Sequence, residues 1–215
     1  CTHLDTVFNK CDAITNSVEY APLAADGTVG VWGTTTVLPT PRYSTAFNVY
    51  QNHIYVGGGC QATAANNGCS AATAAVHYAT FQANGTLSAW TVTTSLPIII
   101  ASLSMVAYNG YQYEVGGSNG SAAVNYAPIY ADGSLGKWSA TTSITTGRLT
   151  TKVVGYNGYL IIAGGQDSGG IAMQDVQHTQ IRLAGWGGGY GAATTSFETA
   201  RNGHSSVAYN GYLYV

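Results

Sequence analysis

The sequence predicts an all-β protein built from four-stranded antiparallel sheets. Two interleaved sets of repeated segments, and the turn residues within each set, carry this prediction. The chain has 215 residues, of which 46% are hydrophobic and only 7% are charged, and Thr, Ser, Asn and Gly supply most of its polarity. This length and hydrophobicity are sufficient for a folded core, which argues against a disordered chain.

The first repeated segment places an Asn-Gly pair, or a close substitute, between two apolar stretches. Its copies begin at Tyr50, Tyr108, Tyr156 and Tyr209. An Asn-Gly pair in this setting is a strong hairpin signal, because type I′ turns require positive φ at both central residues. Each copy therefore predicts two strands. Three of the copies continue into a glycine pair: Gly58-Gly59, Gly116-Gly117 and Gly164-Gly165.

The second repeated segment lies between copies of the first and combines a similar turn with a tryptophan and a Thr-rich stretch. Read as another type I′ hairpin, it adds two strands to each period. Successive tryptophans are 58 and 48 residues apart, and a four-stranded sheet repeated about every 50 residues is typical of a β-propeller blade. The turns and tryptophans are Asp26-Gly27, Asn84-Gly85, Asp132-Gly133, Trp32, Trp90 and Trp138.

The order of the repeated residues within one period resembles the motif of the kelch family. An arginine precedes the first hairpin at Arg42, Arg148 and Arg201, with Ile100 in the remaining copy, and the glycine pair, a tyrosine and a tryptophan follow. The resemblance covers essentially the whole chain. It implies that residues 1–215 form a kelch-type propeller domain of four repeat units, cut between the second and third strands of a blade. The arginines, tryptophans and glycine pairs then have structural roles.

The chain ends leave two interpretations open. Either the two ends complete one blade together, or the chain is a window on a larger propeller or array. Kelch relatives usually close with six or seven blades, which favours the second interpretation. The last copy departs from the pattern, since 184–190 replaces the expected turn and tryptophan.

Four cysteines occupy equivalent loops one period apart. We predict two local disulfides, Cys1 with Cys11 and Cys60 with Cys69, and hence an extracellular or cell-surface location. Metal binding is the rival interpretation, but the spacings of 10 and 9 residues are not those of a zinc site.

Charge and hydropathy exclude several classes of function. Seven basic residues are scattered singly in a chain of net charge -2, so nucleic-acid binding is not expected. No apolar stretch is long enough for membrane insertion. Paired acids, a phosphate-binding glycine loop and a nucleophile motif are all missing, so we expect no catalytic residues, metal or cofactor.

The sequence favours a non-enzymatic extracellular module for adhesion, for contact with a glycan or protein, or for self-assembly. Loops on a repetitive scaffold are where recognition usually resides, and here the loop after the glycine pair varies most. The alternative is a secreted carbohydrate-active enzyme or a copper-radical oxidase whose catalytic residues lie partly outside this chain. The candidate binding residues are Gln61, Asn66, Asn67, Asn119, Gln166 and Asp167.

Overall fold

A computed structural model describes residues 3–5, 10–62, 69–181 and 194–215, with side chains described from residue 14 onward. All regular secondary structure within these ranges is β-strand. The described ranges therefore hold no helix that could cross a membrane.

Three sheets form the middle of the chain, and each runs in chain order with antiparallel neighbours. Sheet 1 contains β5 (Ala46–Tyr50), β6 (His53–Gly57), β7 (Val76–Thr80) and β8 (Thr91–Thr93). Sheet 2 contains β9 (Ser104–Tyr108), β10 (Tyr111–Val115), β11 (Val124–Pro128) and β12 (Ser139–Ala140). Sheet 3 contains β13 (Lys152–Tyr156), β14 (Tyr159–Ala163) and β15 (Val176–Gln180).

Two half-sheets and a short hairpin complete the described structure. The leading half-sheet pairs β3 (Glu19–Tyr20) with β4 (Gly33–Thr34), and the trailing half-sheet pairs β16 (Val207–Tyr209) with β17 (Tyr212–Tyr214). By repeat position, the leading half-sheet holds third and fourth strands, and the trailing half-sheet holds first and second strands. The hairpin pairs β1 (His3–Asp5) with β2 (Lys10–Ala13).

The predicted four-stranded antiparallel sheets are confirmed, and so are the type I′ turns at the three Asn-Gly pairs, whereas in the Gln51-Asn52 copy only Gln51 has positive φ. Asn109 and Gly110 have φ of 50° and 81°, and Asn157 and Gly158 have φ of 47° and 81°. Positive φ at both central residues is what a type I′ turn requires.

The second set of turns is not type I′, and that prediction is wrong. In Asp26-Gly27 only the glycine has positive φ, and the Gly27 amide donates to the Ala24 carbonyl. The Asp26 carboxylate instead accepts hydrogen bonds from the amide and hydroxyl of Thr28, at 2.9 and 2.7 Å. A side chain that bonds to the backbone two residues ahead stabilises a longer loop without positive φ at its own position.

The sheets stack face to face, with their first strands side by side. β5 contacts β9, β9 contacts β13, and β13 contacts β16. The two cores are formed by tyrosines and aliphatic side chains, Tyr55 with Met105 between sheets 1 and 2, and Tyr113 with Ile162 between sheets 2 and 3. Both faces of sheet 2 are therefore buried, which explains why its strands carry little polar alternation.

A chain of backbone hydrogen bonds runs across the sheets just before their first strands. The Ser102 amide donates to the Ser44 carbonyl, Thr150 donates to Ser102, and Gly203 donates to Thr150, at 2.8 to 3.3 Å. These four residues occupy one repeat position, and all have φ between 48° and 61°. Positive φ is an outlier for a β-branched residue, so Thr150 is strained.

Replacing Thr150 with glycine is expected to raise the free energy of unfolding by about 1 kcal/mol. Relief of left-handed strain and loss of a buried hydroxyl without a partner outweigh the extra entropy of glycine in the unfolded chain. Gly203 already shows that glycine fits this position. Urea denaturation measures the change. Thr151→Gly is the control and should destabilise, since Thr151 is buried and its hydroxyl donates to Ala163.

Candidate functional site

The glycine pairs fix where the loops after the second strands emerge. The amides of Gly59, Gly117 and Gly165 donate to carbonyls of the next sheet or half-sheet along the chain, at 2.9 to 3.0 Å. A Cβ on Gly116 would lie 2.5 Å from the carbonyl oxygen of Arg148. Only glycine permits this approach together with positive φ, so each pair ties two neighbouring sheets together at one edge.

The described loops that follow the glycine pairs share that edge, which we call the loop face: residues 60–62, 69–75, 118–123 and 166–175. A Cβ on Gly120 would lie 3.1 Å from the Cβ of Ser168, so the second and third loops are in contact. Gln61, Asn119 and Asp167 hold one repeat position, each directly after the residue that follows the glycine pair. The varied polar residues are thus brought together by the stacking of the sheets.

A cavity of about 440 Å³ lies on the loop face between the first and second loops. Cys69 comes from one side, while Ser118 and Asn119 come from the other. Among the described residues no charged side chain lines it, and hydroxyl and amide groups lie beside apolar surface. The remaining lining residues are Tyr43, Ser44, Ala72, Ile99, Ala101, Ser102 and Leu149.

The predicted Cys60–Cys69 disulfide is confirmed and closes the first loop next to this cavity, with Cα atoms 5.6 Å apart. A disulfide is typical of an oxidising compartment. The predicted Cys1–Cys11 bond lies outside the described residues, because Cys1 and the side chain of Cys11 are not among them. Asn66 and Asn67 also lie outside the described residues.

Of the described binding candidates, Asn119 is the one that lines the cavity. The side-chain amide of Gln61 donates to the Thr40 hydroxyl, and the side-chain oxygen of Gln166 accepts from the side-chain amide of Asn202. The Asp167 carboxylate accepts the amides of Gly169 and Ile171 and so shapes its own loop. These three side chains hold the loop face in place in the described structure.

The repeated arginines make different contacts in each sheet. Arg148 is fully buried and forms a bidentate ion pair with Asp175, at 3.0 and 2.8 Å, while also donating to the Gly164 carbonyl. Arg42 is buried, has no carboxylate partner among the described residues, and donates to the carbonyls of Gly58 and Ala75. Arg201 is exposed, and its guanidinium lies 5.4 Å from the Phe197 ring centre.

Threonine pairs after the tryptophans have a role that was not predicted from the sequence. The Leu135 amide donates to the Thr93 hydroxyl at 2.7 Å, and the Thr94 hydroxyl donates to the Leu135 carbonyl at 2.6 Å. The Trp138 indole donates to the Thr94 carbonyl at 3.0 Å. We call this three-bond contact between one sheet and the next the threonine clasp.

A second threonine clasp joins the leading half-sheet to sheet 1. It uses Thr35, Thr36, Leu87 and Trp90, with distances of 2.7, 2.8 and 2.9 Å. The Thr-rich stretch after each tryptophan was the signal in the sequence, but nothing local indicates that its partner belongs to the next repeat.

Sheet 2 carries an unexpected polar side chain on its face towards sheet 1. Glu114 is 2% exposed and accepts a hydrogen bond from Asn125 at 2.7 Å, while its other carboxylate oxygen is buried without a partner. Sheets 1 and 3 have Val56 and Ile162 at this position. Burial raises the pKa of Glu114 to about 7, against the smaller opposing effect of the Asn125 hydrogen bond.

Among the described residues, no group of three or more His, Cys, Asp or Glu side chains could hold a metal ion. The described residues that line the cavity of the loop face are neutral.

Comparison with known proteins identifies a structural likeness only. No protein-family profile and no curated protein sequence matches the chain. Among solved structures, that of YjhT is similar, with a TM-score of 0.57 and 17% sequence identity. The likeness covers 71% of this chain and 47% of YjhT, so the chain spans about half of that protein's length. At this identity the likeness concerns the arrangement of the sheets.

Proposed function

We propose that this chain is part of a kelch-type β-propeller and serves as a non-enzymatic binding module at a cell surface or in the extracellular space. The observation that carries the proposal is the neutral cavity of the loop face, placed between a disulfide-closed loop and the Asn119 turn. The stacking of the first strands and the repeat period support the propeller assignment. The Cys60–Cys69 bond supports the extracellular location.

The ligand class that best suits this cavity is a neutral glycan. Sugar hydroxyls pair with the amide and hydroxyl groups of Asn119 and Ser102, and the apolar surface of Ile99 suits the carbon face of a sugar ring. A cavity without charge offers no counterpart to a phosphate, carboxylate or basic peptide. A protein ligand that docks on the same loops is the alternative outcome of the test.

Replacing Asn119 with glycine is expected to weaken glycan binding by about tenfold, equivalent to about 1.4 kcal/mol. Asn119 has φ of 65°, so glycine keeps the backbone while removing the amide from the cavity. Binding is measured first on a glycan array and then by titration calorimetry with the best glycan.

The matched control is Asn109→Gly, which makes the same change at φ of 50° in the hairpin turn at the other end of sheet 2. It should bind like the original chain. Failure to bind any glycan, or equal affinity for both variants, would contradict a glycan site at Asn119. Protein binding that is lost only in Asn119→Gly would move the proposal to a protein ligand.

A further inference from the structure

Seven Asn-Gly pairs occur in the chain, and this dipeptide is prone to spontaneous deamidation. The glycine amide nitrogen attacks the asparagine Cγ, the bond from Cγ to the side-chain nitrogen breaks, and ammonia leaves. Water then opens the succinimide ring at either of its two carbonyl carbons, which gives aspartate or isoaspartate. Glycine favours the reaction because it has no side chain to obstruct the attack. Water is the only co-reactant.

A repeated tyrosine hydroxyl binds the attacking amide in three of these pairs. Each tyrosine ends the first strand of one hairpin, and each glycine belongs to the turn of the next hairpin along the chain. The bonds from Gly110 to Tyr50, from Gly158 to Tyr108 and from Gly211 to Tyr156 measure 2.9, 2.8 and 2.7 Å. The glycine nitrogen must leave the hydroxyl before it can reach the asparagine Cγ. A hydrogen bond that has to break first slows the reaction by about tenfold.

Backbone carbonyls accept the glycine amides of two further pairs, Asn84-Gly85 and Asn202-Gly203, at 2.9 and 3.3 Å. Their asparagine side chains are held as well, that of Asn84 by Thr86 and that of Asn202 by Gln166. Asn67-Gly68 lies outside the described residues. In five of the six described pairs, the attacking nitrogen is therefore bound to an acceptor.

Asn119-Gly120 is the exception among the described pairs. The Gly120 amide has no hydrogen-bond partner among the described residues. Asn119 is exposed, and it lines the cavity of the loop face. Both residues have positive φ, 65° and 66°, as in the Asn-Gly hairpin turns. The difference from those turns is thus the bond on the glycine amide, and not the local sequence or the sign of φ.

We propose that Asn119 is a deamidation site on the loop face, and that the repeated tyrosine hydroxyls protect the hairpin turns from the same reaction. Either product places a carboxylate beside a cavity whose described lining is neutral. Isoaspartate also adds a carbon atom to the backbone of the turn. At the proposed glycan site, the change lowers affinity irreversibly as the protein ages, a consequence that rests on the proposed function.

The first test is a time course of the folded original chain at mildly alkaline pH, because the attack requires loss of the glycine amide proton. Peptide mapping by mass spectrometry measures the converted fraction at each Asn-Gly pair. Asn119 should convert at least about tenfold faster than Asn109 or Asn157. Equal rates at the three positions, or faster conversion at either hairpin turn, would overturn the proposal.

Tyr108→Phe tests the protection directly. It removes the hydroxyl that accepts the Gly158 amide and keeps the aromatic ring. Conversion at Asn157 should rise by about tenfold, whereas conversion at Asn109, whose glycine is bound by Tyr50, should not change. Tyr50→Phe is the matched variant and should reverse this pattern. An unchanged rate at Asn157, or an equal rise at both turns in either variant, would overturn the protective role.

Glycan binding is measured separately, so that failure of one proposal does not conceal failure of the other. The converted chain, and freshly prepared Asn119→Asp, should bind the best glycan of the array about tenfold more weakly than the original chain. Conversion at Asn119 without loss of affinity would support the deamidation site and contradict the glycan site. Absence of conversion at Asn119 would overturn the deamidation site, even where a glycan binds.

Discussion

Replacing Asp175 with alanine is expected to lower the free energy of unfolding by about 3 kcal/mol. Arg148 is fully buried, and removal of its carboxylate leaves an unpaired charge in the interior, which typically costs 3–5 kcal/mol. Burial alone would raise the pKa of Asp175, but hydrogen bonds from Arg148 and Gln177 outweigh it and keep the pKa below its usual value. Urea denaturation at neutral pH measures the loss.

Sheet 1 indicates why the expected loss lies at the lower end of that range. Arg42 is buried there with Ala75 at the position of Asp175, and backbone carbonyls accept its hydrogen bonds. The control for Asp175→Ala is the same change in an Arg148→Met background, where it should cost less than about 1 kcal/mol. An equal loss in both backgrounds would contradict a direct arginine–carboxylate coupling.

The second large effect is a pH dependence of stability that originates at Glu114. Its pKa is raised from 4.5 to about 7 in the folded chain. At a pH between these two values, the carboxyl is therefore protonated in the folded state and ionised in the unfolded state. Stability contributed by the neutral carboxyl is fully present below pH 4.5 and is lost as the pH rises to about 7. The expected loss is about 3 kcal/mol over this window.

The measurement compares the original chain with Glu114→Gln by urea denaturation between pH 4.5 and 8. Glutamine stays neutral and can still accept the Asn125 hydrogen bond, so the variant should be the more stable protein at pH 8 and similar at pH 4.5. Burial lowers the pKa values of His77 and His204, so their contribution to the free energy of unfolding is lost as the pH falls, opposite to that of Glu114. Both proteins share that effect, so their difference isolates Glu114. A difference that does not vary with pH would contradict the assignment.

Local sequence was sufficient to locate most hairpins, because turn residues and apolar alternation act within a few residues of each other. Asn157-Gly158 adopts the predicted positive φ, and the strands on either side pair as the predicted hairpin. The Asp26-Gly27 turn was assigned the wrong type, since the Asp26 carboxylate accepts the amide and hydroxyl of Thr28 and so stabilises a different loop. The Cys60–Cys69 bond was predictable because both cysteines belong to one loop.

The contacts between repeats were decided only by the tertiary structure. Thr94 meets Trp138, and Thr150 reaches Ser102 and Gly203, through contacts that join residues about 50 positions apart. The burial of Glu114 likewise depends on a face of sheet 2 that an isolated repeat leaves open. The sequence by itself determined the sheet as a unit, with its turns, its glycine pair and its disulfide loop. Packing between sheets decided which loops share an edge and which threonines meet a tryptophan of the next repeat, because those energies come from surfaces that meet only after each sheet has formed.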